Sequence, residues 1–225
     1  GACRMVGEVH GRQPFQFRPP RTDSPLLSRE LTKYRSGVLP SFGLYLLAGA
    51  RLVSRNAFLI PGQRDCVIQE SVTAGDKFLR AVVDDALKLR PTKALDGRWF
   101  VAFDRWSVHY YYHWMVETLC RFLALEYVPD DTGILLPEET APYMLESLEL
   151  LGVNPERATA FRGGALRLEE CYVPSKPYRG FTCSAEDVCA LRQRFHEAVP
   201  EEEEQGRQCL YVSRARCTER LVANE

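Results

Sequence analysis

The chain has 225 residues, 45% of them hydrophobic and 26% charged, with a formal net charge of −1. That balance excludes an intrinsically disordered chain and a coiled-coil rod, and it provides no overall basic surface for nucleic acid. At roughly 100–200 residues per domain, the length fits one large domain or two small ones.

Residues 1–40 read as an N-terminal arm. Arg4, Arg12, Arg18 and Arg21 alternate with Pro14, Pro19 and Pro20, which favours extended or poorly ordered backbone, and Leu26–Tyr34 suits a short helix. From Leu44 to Val72, short apolar runs (Leu44–Leu47, Ala57–Ile60, Cys66–Ile68) alternate with Gly49, Pro61-Gly62 and Arg64-Asp65, the pattern of strands joined by turns. Phe78–Leu89 then has helical periodicity.

Strand and helix signals alternate beyond it. Arg98–Phe103 reads as a strand, His109–Tyr127 as one long helix, and Gly133–Leu136 as a buried strand stopped by Pro137. Pro142–Leu151 is a helix ended by Gly152, and Leu166–Val173 is a strand. Ser184–Val199 is a helix opened by the acidic capping box Ser184-x-x-Asp187, and Cys209–Ser213 is a last strand. The rhythm predicts an α/β fold: a Rossmann-like, doubly wound parallel sheet over residues 41–205, with a small β-rich lead-in. Ligands in such sheets collect at the C-terminal strand ends, so the residues following Phe103, Leu136 and Val212 become the places to inspect.

Eight cysteines form no Cys-x-x-Cys pair, and the four histidines complete no zinc spacing. Several thiols sit in apolar runs, where a free Cys packs as a small hydrophobe. There is no Asn-x-Ser/Thr sequon, and the longest charge-free stretch, Ser36–Ala50, is 15 residues interrupted by Pro40 and Gly43. A membrane span needs about 20 apolar residues. These features suit reduced thiols and a cytoplasmic chain without a span of its own; an anchor upstream of Gly1 would place it at a membrane.

Two constellations could carry chemistry. The first is His109-Tyr-Tyr-Tyr-His-Trp-Met-Val-Glu117. On a helix His113 and Glu117 share a face, and a carboxylate beside an imidazole orients it as a general base. His109 and His113 have the spacing of two metal ligands, although no third ligand stands out; equally, the aromatics could simply be core. The second is Tyr211-Val-Ser-Arg214-x-Arg216-x-x-x-Arg220, a strand running into a turn with a hydroxyl and three arginines, suited to cradling an anion. Arg outnumbers Lys by 24 to 5, a bias that a GC-rich coding background explains as readily as selection for the planar, bidentate fork. Dinucleotide, P-loop and nucleophile-elbow glycine motifs are absent.

At these blocks the chain resembles glycosyltransferase family 61. The residues concerned are Tyr110-Tyr111-Tyr112-His113-Trp114, Glu117 with Leu119-Cys120-Arg121-Phe122, Ile134-Leu135-Leu136-Pro137, and Tyr211-Val-Ser-Arg214…Arg220…Asn224-Glu225. Tyr110 and Cys120 stand where the family pattern has Asn and Pro. The resemblance implies the N-terminal, acceptor-side half of a GT-B architecture, with residues 206–225 opening a donor-side half and the remainder of that half lying beyond Glu225. It also implies inverting, metal-independent transfer of a sugar from a nucleotide-sugar to a glycan hydroxyl, in polysaccharide or glycan biosynthesis. His113 would be the base and Glu117 its partner. Ser213, Arg214 and Arg220 would hold the donor diphosphate, and Tyr111, Tyr112 and Trp114 would bind the acceptor. The nucleotide-sugar is a substrate, so no cofactor is called for. Two readings compete: a non-catalytic fragment that acts at most as a binding module, and a metal-dependent hydrolase built on His109 and His113.

Overall fold

The computed structural model describes residues 3–16, 23–32, 36–62, 66–72, 76–179 and 182–199. In chain order the elements begin with strand β1 (Cys3–His10), β2 (Gln13–Gln16), helix α1 (Pro25–Thr32), β3 (Ser36–Leu39), β4 (Phe42–Val53) and β5 (Phe58–Ile60). Next come α2 (Asp76–Lys88), β6 (Lys93–Val101), α3 (Arg105–His109), a π-helical segment His113–Thr118, α4 (Leu119–Phe122) and a 3-10 turn Leu123–Tyr127. The order ends with β7 (Gly133–Pro137), α5 (Pro142–Leu150), β8 (Ala158–Phe161), β9 (Ala165–Pro174), β10 (Tyr178–Arg179), β11 (Thr182–Cys183) and α6 (Ala185–Ala198).

Seven strands form one mixed sheet in the order β1-β4-β9-β6-β7-β8, with β5 also paired to β4. Strands β9, β6, β7 and β8 run parallel, whereas β1, β4 and β5 are antiparallel additions. The β-rich lead-in is therefore not a separate layer. Its long strand β4 pairs with β9 from Leu44↔Pro174 to Val53↔Ala165, extending the parallel sheet.

The alternation of side chains decides which face each covers. Phe100, Ala102, Ile134 and Leu136 point to one face, where they meet Trp114, Leu119, Phe122, Met144, Leu148 and Leu191 from the helices. Val101, Phe103, Leu135, Cys171 and Val173 point to the other and meet Leu47, Leu59 and Phe161. A third cluster packs α2, through Ala86, Val82 and Val83, against Val53, Phe58 and Ile60. Both faces of the parallel strands are thus covered, as their nearly uninterrupted apolar runs require.

Several expectations are revised. The stretch read as an arm contributes β1, an edge strand paired with β4, and β2, paired with β3. His10 and Gln13 fasten this region to α6 through His10 Nε2–Asp187 at 3.1 Å and Gln13 Nε2–Glu186 at 2.6 Å. Asp187 therefore spends its carboxylate on His10, and of the anticipated capping box the Ser184 Oγ bond from Asp187 N–H is the half that forms. Gly49 does not interrupt β4: it sits inside the strand at φ +65°, where glycine meets no Cβ penalty. Cys66–Ile68 is not a strand; Ile68 N–H donates to Leu59 O without a ladder. The expected strand Cys209–Ser213 lies outside the described residues. The six described cysteines are all free, and Cys120 and Cys171 are buried among apolar side chains.

Candidate active site

Because β6, β7, β8 and β9 are parallel, their C-terminal ends lie along one edge of the sheet. The backbone leaving β6 there is shaped by Asp104. Its carboxylate accepts from Trp106 N–H at 3.0 Å and Ser107 N–H at 3.2 Å, and Ser107 Oγ accepts from Asp104 N–H. This reciprocal cap starts α3 abruptly. The helix lasts five residues before Tyr110 turns extended, at φ −133° and ψ 119°.

The single long helix expected over His109–Tyr127 is therefore broken. The break falls at Tyr110, and Tyr111 and Tyr112 are already helical as they lead into the next turn. The chain resumes as a π-helical turn, closed by Leu119 N–H donating to Trp114 O. Such wide turns are unusual and frequently mark functional sites. Here the turn is held to α3 by Ser107 Oγ and Thr118 Oγ1, 2.6 Å apart.

His113 and Glu117 project from this turn and meet: Nδ1 lies 2.9 Å from Glu117 Oε2. The imidazole is 21% exposed and the carboxylate 9%. Burial raises the pKa of Glu117, and the hydrogen bond to His113 offsets part of that rise. Rings close in on the imidazole from three residues, with Trp106 at 5.2 Å, Tyr112 at 5.4 Å and Tyr110 at 5.7 Å between centroids. Nδ1 is committed to the carboxylate, so Nε2 is the nitrogen left to exchange a proton.

Beneath the pair lies a buried set of charges that sequence pattern does not single out. Lys176, just past β9, donates to Asp104 Oδ2 at 2.8 Å and to Val72 O at 3.0 Å. Arg121, one turn after Glu117, is fully buried. Its guanidinium donates to Ala102 O and, at 2.7 Å, to Pro174 O, tying the helix to the exits of β6 and β9. Burial alone would raise the pKa of Asp104, but the charges of Lys176 and Arg121 outweigh it and hold the carboxyl below its ordinary value. Burial lowers the pKa of both cations, with Asp104 acting in the opposite direction. The one signal that could have pointed here is position: Asp104 directly follows the apolar run that ends at Phe103.

The other predicted residues separate clearly. Tyr111 and Tyr112 are exposed, and Tyr111 packs on Tyr143 at 4.9 Å between centroids. Trp114 is a correction. It has no exposed surface, and its indole N–H donates to Ser147 Oγ at 2.9 Å, so it offers no face to a sugar and serves as core. Ser213, Arg214 and Arg220 lie outside the described residues. His109 does not join His113; it lines a neighbouring cleft of about 400 Å³ at the ends of β6, β7 and β8. Among the described residues no three His, Cys, Asp or Glu side chains are grouped to share a metal ion.

Comparison with known families bears on this same segment. Residues 111–225, from the second tyrosine through His113 and Glu117 to the end of the sequence, match the family model Glycosyltransferase 61. The chain belongs to glycosyltransferase family 61. Membership implies glycosyltransferase activity, and with it a sugar donor and an acceptor. No curated protein and no solved structure matches the chain. Among the described residues, no helix of this family 61 member is long and apolar enough to cross a membrane.

Proposed function

We propose that the protein transfers a sugar from a nucleotide-sugar to a hydroxyl of a glycan, with inversion and without a metal, in polysaccharide or glycan biosynthesis. The observation that carries this reading is the His113–Glu117 contact of 2.9 Å, flanked by aromatic rings and formed by two residues of the family-matched segment. With Glu117 ionised, Nδ1–H donates to it and Nε2 keeps its lone pair. Nε2 takes the acceptor hydroxyl proton while the acceptor oxygen attacks the anomeric carbon. The bond from that carbon to the diphosphate oxygen breaks, and the electron pair leaves with the nucleoside diphosphate. Attack from the side opposite the leaving group inverts the anomeric centre.

Ser213, Arg214 and Arg220 are assigned to the diphosphate, where charge develops as it departs and fixed cations lower the barrier most. Tyr111 and Tyr112, exposed beside the base, are assigned to the acceptor. In this reading the described sheet is the acceptor half of a GT-B arrangement, and residues 206–225 begin the donor side. Product anomeric configuration, read by proton NMR after reaction with a donor of known configuration, tests the mechanism. Inversion is expected; retention would remove His113 as a simple general base.

A further inference from the structure

The contact between His113 and Glu117 depends on an uncommon backbone. Both residues lie in the π-helical segment His113–Thr118, whose closing hydrogen bond runs from Leu119 N–H to Trp114 O, five residues back. Relaxation to four-residue α-helical bonding would turn Glu117 about the helix axis relative to His113. Such turns are rare, so the segment needs a hold from outside its own backbone bonds.

That hold falls on Thr118, the residue after Glu117. A helical threonine often bonds its hydroxyl to a carbonyl three or four residues back in its own helix. The Thr118 hydroxyl instead meets Ser107 Oγ of α3 at 2.6 Å, and the two residues are 2% and 1% exposed. Proton counting fixes the direction of this contact. Ser107 has one hydroxyl proton, and it goes to Asp104 Oδ1 at 3.1 Å. Ser107 Oγ also accepts from Asp104 N–H at 3.0 Å, which leaves its second lone pair for Thr118 O–H. At the far end Lys176 donates to Asp104 Oδ2 at 2.8 Å, so the carboxylate is charged and remains an acceptor. Donors therefore run in one sense, from Thr118 to Ser107 to Asp104, and end on a carboxylate anchored where β6 and β9 leave the sheet. Buried chains of this kind strengthen their members.

We propose that Thr118 and Ser107 are positioning residues for the base: their hydroxyl bridge holds the turn in the form that sets Glu117 against His113 Nδ1 and so leaves Nε2 its lone pair. Both are buried, so neither hydroxyl reaches substrate. The catalytic meaning of this assignment rests on the transfer reaction proposed above; its effect on the imidazole does not.

Thr118→Val is the test, because it keeps the branched shape and removes the hydroxyl, while Ser107 keeps both of its bonds with Asp104. One readout is NMR of protein labelled in its histidine nitrogens, at about pH 8, with the His113 signals identified by their loss in His113→Ala. Wild type should carry its proton on Nδ1, Thr118→Val should move the ring toward the Nε2–H tautomer, and Thr118→Ser should restore it. The other readout is transfer by the protein expressed from its full reading frame. Thr118→Val should lower kcat by about 10- to 100-fold at unchanged nucleotide-sugar KM, and Thr118→Ser should recover most of that loss. Circular dichroism establishes that each variant folds. If the Val variant does not, Thr118→Ala, which leaves space rather than a methyl group against Ser107, is read in the same two ways. An unchanged tautomer in a folded variant overturns the assignment, as does a loss of kcat that Thr118→Ser fails to recover. The two readings fail separately. A tautomer that depends on Thr118, in a protein that consumes no nucleotide-sugar, leaves the positioning role standing and removes the transfer reaction. Transfer at the wild-type kcat by a folded Val variant does the reverse.

Discussion

Replacing Lys176 by Met probes the charge set under the candidate base. The substitution keeps most of the side-chain volume but removes the ammonium that meets Asp104 Oδ2 at 2.8 Å. Asp104 is 5% exposed, so the carboxylate cannot turn to water. Breaking one partner from a buried pair costs about 3–5 kcal/mol. The lower end applies here, because Oδ1 keeps its bonds from Trp106 N–H, Ser107 N–H and Ser107 Oγ. A loss of about 3 kcal/mol corresponds to a Tm lower by about 6–12 °C for a chain of this size.

The pH dependence makes the test specific. Asp104 has a folded pKa below its ordinary value, so its contribution to stability is present above the unfolded pKa and is lost as pH falls through the folded one. In Lys176→Met the raising effect of burial remains while the charge of Lys176 is gone, so the folded pKa moves up. The penalty is then largest at neutral pH and shrinks on acidification, as Asp104 takes a proton. Urea unfolding at pH 7 and near pH 4.5 should show the gap from wild type narrowing. A gap below about 1 kcal/mol at pH 7, or one that does not change with pH, refutes the buried-pair assignment. Lys88→Met is the control: it removes a pair with Asp85 in which both side chains are exposed, and stability should not change measurably.

Two further outcomes follow from the site. Trp114→Ala empties a fully buried position, so urea unfolding should show a loss of about 3–5 kcal/mol; activity loss without destabilisation would restore the residue to the acceptor site. Glu117→Gln keeps a hydrogen-bonding side chain but removes the charge that fixes the His113 tautomer. Wild-type transfer should decline as pH falls through the raised pKa of Glu117, whereas the Gln variant should be slower by about 10-fold or more and lack that component of the pH–rate profile. Equal rates and equal profiles would separate Glu117 from catalysis.

Periodicity was informative where packing follows from local pattern. The runs at 98–103, 133–136 and 166–173 correspond to β6, β7 and β9, and the helical faces after Phe78, Pro142 and Ser184 correspond to α2, α5 and α6. The failures share a different cause. Strand β1 has an irregular pairing, with register shifts after Met5 and Glu8, so no clean alternation marks it, and its place in the sheet depends on a partner some 40 residues away. The helix over 109–127 breaks because Asp104 and Ser107 fix its entry and Tyr110 goes extended, which helical period alone does not encode. At the site, the i,i+4 spacing of His113 and Glu117 correctly anticipated their contact. Lys176 remained silent because it reaches Asp104 from 72 positions further along the chain, through the parallel pairing of β6 with β9. Trp114 misled for a simpler reason: an indole suits a sugar face and a core equally well, and burial decides between them.

The central claim is that His113 deprotonates an acceptor in a nucleotide-sugar-dependent transfer. The direct measurement is acceptor-dependent release of nucleoside diphosphate across a panel of nucleotide-sugars, comparing the protein expressed from its full reading frame with its His113→Ala variant. Wild type should release nucleotide with at least one donor, and the variant should be slower by about 10²- to 10⁴-fold at unchanged donor affinity. Release by the variant at the wild-type rate, or by neither protein with any donor, would contradict the account.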